Sequence, residues 1–189
     1  MSDSRPTVLV IDDEPDLADL YAAWLTSDYE VRTAYGGEEA LGVIDDDVSV
    51  ALIDRLMPDL SGDEVLERIR EQGYDCRVAM VTAVEPDFDI IDMGFDDYLV
   101  KPVRREELQS AVESLLTRTT YDTQLREYFA LVSKRAALEA QKSDRELAES
   151  EAYAELTEEI EGLRADLDET TSNLSADDFE VALRQLDDF

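Results

Sequence analysis

The first two-thirds of the chain alternates short apolar runs with longer stretches in which apolar residues recur at helical spacing. Residues 8–11 form a wholly apolar run rich in valine and isoleucine, which is typical of a strand buried on both faces of a parallel sheet. Five runs are predicted to be strands, at residues 8–11, 30–34, 50–53, 77–81 and 97–100. Five amphipathic stretches are predicted to be helices, at residues 17–25, 38–44, 63–70, 87–93 and 106–116. We therefore expect an α/β fold, a doubly wound five-stranded parallel sheet with right-handed crossovers.

The pattern changes after about Arg118, where glycine and proline nearly disappear and alanine, glutamate, leucine and arginine dominate. Two apolar stripes each predict one face of a long helix: Leu125, Phe129, Val132 and Ala136, then Leu156, Ile160, Leu163 and Leu167. Ser143 and Glu146 form a capping box that begins a new helix. Ser175 is placed to cap a short last helix that carries Phe179, Leu183 and Leu186.

These patterns divide the chain into two domains, residues 1–118 and residues 119–189. The second domain is predicted to be all-α. Its two long helices form either an antiparallel hairpin or an intermolecular coiled coil, and the coiled coil would make a homodimer.

The charge of the chain indicates the solvent in which it works. The formal net charge is −31, from 48 acidic and 17 basic residues, and the lysines are Lys101, Lys134 and Lys142 alone. Self-repulsion at such a charge opposes folding at low ionic strength. At molar salt the Debye length falls to about 3 Å and the repulsion is screened. The composition therefore favours a protein from a salt-accumulating cytoplasm over an ordinary acidic signalling protein.

Several absences narrow the possible functions. The chain has no histidine, so a phosphohistidine that donates to it must belong to another chain. Cys76 is the single cysteine, which excludes an intrachain disulfide and fits a reducing compartment. No signal peptide is visible, and no apolar run reaches the roughly 18 residues that span a bilayer. We expect a soluble, cytoplasmic protein without a membrane partner.

Polar residues follow four of the predicted strands at their carboxyl ends. They are Asp12 and Asp13 after the first strand, Asp54 after the third, Thr82 at the end of the fourth and Lys101 after the fifth. In a doubly wound sheet these ends meet at one edge, which is where ligands bind. Crowded carboxylates repel one another, and a hard divalent cation such as Mg²⁺ relieves that repulsion.

This set of residues suits phosphoryl transfer. Asp54 is placed to act as the nucleophile and form an acyl phosphate, while Mg²⁺ neutralises the charge that develops. Lys101 adds a positive charge for the phosphoryl oxygens, and the Thr82 hydroxyl is a hydrogen-bond donor to them. Taken singly, Asp12-Asp13-Glu14 could equally be an acidic helix start. Thr82 alone would be an ordinary strand residue, and Tyr98 alone a half-buried aromatic.

Four motifs in this order resemble those of the receiver domain of two-component response regulators. They are Asp12-Asp13-Glu14, the run from Asp54 to Pro58, Thr82-Ala83, and the run from Asp97 to Pro102. The resemblance covers roughly residues 6–118 and implies a flavodoxin-like fold. It also implies that a sensor histidine kinase phosphorylates Asp54. Mg²⁺ would be ligated by Asp13, Asp54 and the backbone carbonyl of Leu56, with Asp12 acting mainly through water.

The same resemblance implies a cis peptide bond at Lys101-Pro102 and a switch in which Thr82 moves towards the phosphoryl group and Tyr98 turns inward behind it. Asp59 is expected to lie in a loop and not to bind the metal. Only 18 residues separate Thr82 from Lys101, fewer than is usual in the family, so the fourth helix should be about one turn short. Related proteins use the face around that helix for dimerisation and output, so the shortening argues against the usual activated dimer.

The helical region resembles the HalX domain, a module appended to receivers in halophilic archaea and described as a transcriptional regulator. Two outputs stay open. In one, the helices mediate dimerisation or bind a downstream protein; in the other, they contact DNA. Residues 122–189 hold 19 acidic and 7 basic residues, a net charge of −12, which opposes phosphate contacts. Molar salt weakens that argument.

A third alternative is an aspartyl-phosphate phosphatase of the haloacid-dehalogenase type, another α/β class with a nucleophilic aspartate. That family has a second aspartate two residues after the nucleophile, where this chain has Leu56. We expect instead a protein that is not an enzyme, apart from the Mg²⁺-dependent phosphorylation and dephosphorylation of its own Asp54.

Overall fold

The computed structural model describes residues 5–117 and 123–171 of the chain. The first segment contains the predicted five-stranded parallel sheet. Its strands are β1 (Thr7–Ile11), β2 (Glu30–Ala34), β3 (Val48–Ile53), β4 (Arg77–Thr82) and β5 (Asp97–Val100). Their order in the sheet is β2-β1-β3-β4-β5, so the direction of winding reverses between β1 and β3. Ligands of such sheets bind beyond the strand ends at this reversal.

Helices cover both faces of the sheet. They are α1 (Pro15–Leu25), α2 (Gly37–Val43), α3 (Gly62–Glu71) and α4 (Arg105–Thr117). Pro15 begins α1, where its missing N–H leaves no helical bond unmade. Ser61 caps α3 in a reciprocal pair of hydrogen bonds with Glu64. These local signals explain where the helices on either side of the predicted site begin.

The sheet separates two apolar cores, because successive side chains of a strand point to opposite faces. Val8 and Val10 of β1 pack with the residues under α1 and α4. Leu9 and Ile11 of the same strand pack on the other face, with residues of α2 and α3. All four are at most 1% exposed, and each such side chain stabilises the fold by about 1.5–3 kcal/mol. Burial on both sides explains why β1 is uniformly apolar.

The connection from β4 to β5 differs from the prediction. In place of an α-helix at 87–93, the structure has a five-residue 3₁₀ helix, Phe88–Asp92, which Asp87 caps. The prediction of a fourth α-helix is therefore wrong, because the segment forms a 3₁₀ helix. The helix is also shortened by more than the one turn that was expected. The segment between the two strands is short, and Pro86 disfavours a helical conformation of the residue before it, so a helix has no room to begin earlier. Ile90, fully buried, anchors the 3₁₀ helix to the core.

The second segment forms a helical hairpin made of α5 (Thr123–Gln141), α6 (Asp144–Glu149) and α7 (Glu151–Thr171). Tyr153 in the first turn of α7 donates from its hydroxyl to Glu139 in the last turn of α5, so the long helices run antiparallel. The predicted capping box of Ser143 and Glu146 is present, but it begins the short α6 and not the second long helix. The predicted tail helix at 175–186 lies outside the described residues.

The apolar stripe predicted for α7 is confirmed, and the one predicted for α5 is wrong. The α7 side chains that the fold buries are Leu156, Ile160 and Leu167, with Leu163 half-buried. The buried side chains of α5 are Leu131, Lys134 and Leu138. The predicted α5 stripe is half-buried or exposed. The buried face of α5 is displaced towards Lys134, which donates to backbone carbonyls of the first segment.

The helical hairpin packs on the 3₁₀ helix and extends the apolar core of that sheet face. Arg126 of α5 pairs with Asp96 at 3.1 Å, next to the start of β5. Lys134 donates to the backbone carbonyls of Ile91 at 3.0 Å and Met93 at 2.5 Å. The hairpin thus covers the region where a full fourth helix would lie, and this packing explains why a short 3₁₀ helix is sufficient there.

Candidate metal centre at the strand ends

Three of the predicted carboxylates meet at the carboxyl ends of β1 and β3. Asp12, Asp13 and Asp54 each offer an oxygen, and these oxygens lie within 4.8 Å of one another. Asp12 is 2% exposed and Asp54 8% exposed. Sheet hydrogen bonding continues into the cluster, because the Asp12 N–H donates to Ala34 at 3.1 Å and the Asp54 N–H to Ile11 at 3.0 Å. The sheet itself, and not a loop, therefore positions the carboxylate cluster.

Gly62 allows α3 to begin directly behind Asp54. Its N–H donates to the carbonyl of Arg55 at 2.9 Å. A Cβ at residue 62 would lie 2.0 Å from the carbonyl oxygen of Asp54, so a side chain cannot be accommodated without moving the backbone. Glycine is needed here for close approach, and this fixes the helix start relative to the cluster.

Lys101 joins the cluster from the end of β5. Its Nζ donates to Asp12 at 2.7 Å and to Asp54 at 3.0 Å. Burial opposes the charged form, but the hydrogen bonds that the ammonium donates to the two carboxylates, together with their negative charge, outweigh it, so the pKa of Lys101 is raised. The Lys101-Pro102 peptide bond is cis, as predicted, and the Lys101 N–H donates to the Thr82 carbonyl at 2.8 Å. The ammonium is therefore held between two elements of the sheet.

The donor set fits a hard divalent cation. Three carboxylates face one ammonium, so Lys101 leaves negative charge in the cluster uncompensated. Carboxylate oxygens completed by water are the ligands that Mg²⁺ prefers. Leu56 lies beside the site, since its N–H donates to Asp54 at 3.2 Å, and its predicted role as a carbonyl ligand stays a prediction. Asp59 lies in the following loop with a φ of 65° and is not part of the cluster.

Thr82 and Tyr98, the predicted switch residues, both bind the same peptide segment. Thr82 is fully buried, and its hydroxyl accepts from the N–H of Val84 at 3.3 Å. Tyr98 is 7% exposed and donates from its hydroxyl to the carbonyl of Val84 at 2.7 Å. Its ring lies 5.6 Å from that of Phe95, between ring centroids. Tyr98 therefore points inward, and any movement of Val84 affects both switch residues.

Arg55, the residue after Asp54, was not identified as a candidate from the sequence. Its side chain is 10% exposed and binds Asp63 through two hydrogen bonds of 2.9 Å and Asp89 through one of 2.6 Å. The Asp63 carboxylate raises the pKa of Arg55 above its usual range despite burial. An arginine directly after a buried strand was the available signal, because a charge so placed needs partners.

Comparison with known proteins shows that the chain belongs to the response regulators. The response regulator receiver domain family matches residues 8–113. The HalX domain family matches residues 117–183, next to it in the same chain. Among the described residues, no helix has both the length and the hydrophobicity needed to cross a membrane.

Individual relatives cover different parts of the chain. A "Putative transcriptional regulator" of Haloferax volcanii is 52% identical over 174 residues, which is 92% of this chain and 30% of that protein. The response regulator SaeR of Staphylococcus aureus is 30% identical over 115 residues, 59% of this chain and 50% of SaeR. The chain thus spans about a third of the first relative's length and half of the second's.

Solved structures of receiver domains match the first part of the chain. A CheY-like receiver domain protein from Methanospirillum hungatei has a TM-score of 0.58 at 27% identity, covering 62% of this chain and 98% of that one. The response regulator TrrA of Thermotoga maritima, in complex with Mg²⁺-BeF, has a TM-score of 0.51 at 33% identity. That match covers 58% of this chain and 98% of TrrA.

Proposed function

We propose that Asp54 accepts a phosphoryl group from the phosphohistidine of a sensor histidine kinase. The P–N bond of the donor breaks and a P–O bond to the Asp54 carboxylate forms, which gives an acyl phosphate. The observation that carries this proposal is the position of Asp54, in contact with Lys101 and within the cluster formed with Asp12 and Asp13. Since the chain has no histidine, the donor is another chain.

Mg²⁺ is the cofactor that we propose for the carboxylate cluster. Asp13, Asp54 and the Leu56 carbonyl would ligate it directly, and Asp12 would act mainly through water. When bound, Mg²⁺ neutralises negative charge on the phosphoryl oxygens. Two observations support this choice: the all-oxygen donor set of the cluster and the Mg²⁺-BeF complex of the Thermotoga relative. Lys101, displaced from the carboxylates, would then donate to a phosphoryl oxygen.

Thr82 and Tyr98 are the proposed switch. On phosphorylation the Thr82 hydroxyl turns to donate to a phosphoryl oxygen and gives up the N–H of Val84. Tyr98 is bonded to the carbonyl of the same residue, so its ring responds to the movement. The change is a shift of population between two states that differ in a few hydrogen bonds.

The helical hairpin is the proposed output element. It packs against the 3₁₀ helix and shares a core cluster with Tyr98 and Phe95. A change at the switch residues is therefore transmitted to it through packed side chains of the same chain. We propose that it then binds a downstream protein or a second copy of the chain. Size-exclusion chromatography with Mg²⁺ and beryllofluoride at molar KCl would separate the two, because only self-association changes the elution of the protein alone.

A DNA-binding transcriptional regulator is the second candidate, favoured by the name of the Haloferax relative. A gel shift at molar KCl, with and without acetyl phosphate, tests it. Absence of retention in both states would discard it. In either case we propose a cytoplasmic protein whose own chemistry is limited to phosphorylation and dephosphorylation of Asp54.

The decisive experiment is incubation with acetyl phosphate and Mg²⁺, followed by mass spectrometry of the peptide that contains residue 54. We expect one phosphoryl group on the wild-type protein and none on Asp54→Asn. Asp59→Asn is the matched control, because Asp59 lies five positions away but outside the cluster. Asparagine also tolerates its positive φ. Phosphorylation that persists in Asp54→Asn would place the acceptor elsewhere.

A further inference from the structure

Arg55 links the phosphoacceptor loop to a distant segment of the chain. Its Nε and Nη2 bind both carboxylate oxygens of Asp63, in the first turn of α3, at 2.9 Å. Nη2 also binds Asp89 in the 3₁₀ helix at 2.6 Å. The backbone of Arg55 follows Asp54 directly and accepts from Gly62. One guanidinium therefore connects the acceptor residue, the start of α3 and the 3₁₀ helix.

The partners of Arg55 lie outside the cluster that would receive the phosphoryl group. Its donors face Asp63 and Asp89, and neither belongs to the carboxylate cluster that would receive the phosphoryl group. The two aspartates are 43% and 56% exposed at their side chains, whereas Arg55 is 10% exposed. A buried guanidinium that loses a partner leaves N–H groups unsatisfied, so the Arg55 contact with Asp89 resists separation of the two segments.

The 3₁₀ helix that Asp89 belongs to is also the surface on which the helical hairpin rests. Lys134 of α5 donates to the carbonyls of Ile91 and Met93 in and just after the 3₁₀ helix. Lys142, which follows α5, lies 3.1 Å from Asp87, the cap of the same helix. The 3₁₀ helix is thus held from one side by Arg55 and from the other by two lysines of the hairpin.

We propose, on the basis of the phosphoacceptor function above, that Arg55 is a positioning residue that couples phosphorylation of Asp54 to the helical hairpin. When Thr82 closes on the phosphoryl group, the segment after β4 moves with it. The bond between Arg55 and Asp89 makes the 3₁₀ helix follow the acceptor loop, and the hairpin moves with the 3₁₀ helix through Lys134. Arg55 also lies near enough to Tyr98 to oppose the rise in the pKa of its hydroxyl that burial causes.

The test uses the full chain at molar KCl and follows amide hydrogen exchange in residues 88–93 and in α5, with and without Mg²⁺ and beryllofluoride. Wild type should show a change in exchange in both segments. Asp89→Asn, which removes the negative charge at the exposed end of the link and weakens its hydrogen bond, and Arg55→Gln should each lose more than half of the change in α5. Arg55→Lys should restore part of it, because a lysine keeps the charge and one of the two carboxylates.

Arg32→Gln is the matched control, since Arg32 forms a similar ion pair with Asp45 at 2.8 Å, away from the acceptor loop. It should keep the full change in α5. All variants should still be phosphorylated on Asp54 by acetyl phosphate, which separates coupling from chemistry.

The outcomes distinguish this inference from the proposed function. If Asp89→Asn and Arg55→Gln are phosphorylated and still show the wild-type change in α5, the coupling role of Arg55 is overturned and the proposed function stands. A phosphorylated wild type with no change in α5 would also overturn the coupling role. A wild type that acetyl phosphate leaves unmodified would instead overturn the proposed function. If Arg55→Gln fails to fold, Asp89→Asn decides, because Asp89 is exposed at the surface.

Discussion

The strand-end site and the hairpin interface are each organised around one lysine, half-buried at the site and buried at the interface, but the two lysines have opposite surroundings. Lys101 donates to the carboxylates of Asp12 and Asp54, which raise its pKa against the effect of burial. Lys134 donates to backbone carbonyls and lies 5.2 Å from the ring centroid of Phe95. Burial lowers its pKa, and the carboxylates near it only partly offset that effect.

The difference explains what each lysine is able to do. Carboxylates bind a metal ion as well as an ammonium, so a metal ion is able to replace Lys101 there. The displaced ammonium is then free to bind another anion. A lysine held by carbonyls has no such competitor, because a carbonyl carries no net charge. The same side chain therefore serves as an exchangeable charge at the site and as a permanent attachment at the interface. Variants at the strand-end site and at the hairpin interface test this difference.

Lys101→Met should have the largest effect, and the effect should be on chemistry. Removing one cation aimed at developing charge costs a factor of about 10²–10³ in rate. Phosphorylation of Asp54 by acetyl phosphate should slow by about that factor, measured as a time course by mass spectrometry. Lys134→Met, the matched variant at the interface, should react at the wild-type rate. Equal slowing in both would contradict the division of roles.

Gly62→Ala tests the rigid backbone behind the site. The new Cβ would meet the Asp54 carbonyl, and overpacking of this kind destabilises a protein by about 1–3 kcal/mol. Guanidinium unfolding would measure the loss. Gly42→Ala is the control, because a Cβ at that helical position meets nothing within 4 Å. This substitution should raise the free energy of unfolding by about 0.5–1 kcal/mol, since alanine favours the helix over glycine. Loss of stability in neither variant would mean that the loop adapts.

Lys134→Met should weaken the hairpin interface and leave the site unchanged. The carbonyls of Ile91 and Met93 would lose their donor, and a buried acceptor without a partner costs about 1–3 kcal/mol. Guanidinium unfolding gives the global loss, and amide exchange in α5 shows whether it is local. Unchanged exchange in α5 would show that apolar packing and the ion pairs of Arg126 and Lys142 are sufficient to attach the hairpin.

The two lysines should also give opposite dependences of stability on pH, which is the smallest effect. The lowered pKa of Lys134 means that the unfolded chain binds this proton more tightly, so stability rises with pH as the solution approaches the ordinary value of 10.5. The raised pKa of Lys101 means that its stabilisation is present below 10.5 and is lost as pH rises through the higher folded-state value.

The measurement is the difference in unfolding free energy between wild type and each methionine variant, without metal, from neutral pH to about pH 10. Relative to Lys134→Met, wild type should gain stability as pH rises. Relative to Lys101→Met, it should keep its advantage over the same range. A common slope in the two comparisons would contradict the assigned surroundings.

Features that depend on residues close together in the sequence were predicted correctly, whereas features that depend on contacts between distant segments were not. The strands were located from apolar runs of a few residues, and the convergence of Asp12, Asp13 and Asp54 followed from their positions after parallel strands. The α7 stripe was confirmed because that helix buries one face against α5 and the 3₁₀ helix. The α5 stripe was wrong because the buried set of this helix includes Lys134, which donates to backbone carbonyls of the first segment, and no hydrophobic pattern contains a lysine.

The amino-acid pattern was sufficient to predict the parallel sheet, the residues at its carboxyl edge, the capping box at Ser143 and the helical character of the second segment. Each of these depends on spacing along the chain, which backbone geometry converts directly into a face or an edge. The folded chain was needed to show that a hairpin packs on the 3₁₀ helix that replaces the fourth helix, and that Arg55 binds Asp89, 34 positions away. Local periodicity shows that a face must be buried, but the identity of its partner depends on the shapes and charges of segments that meet only in the folded chain.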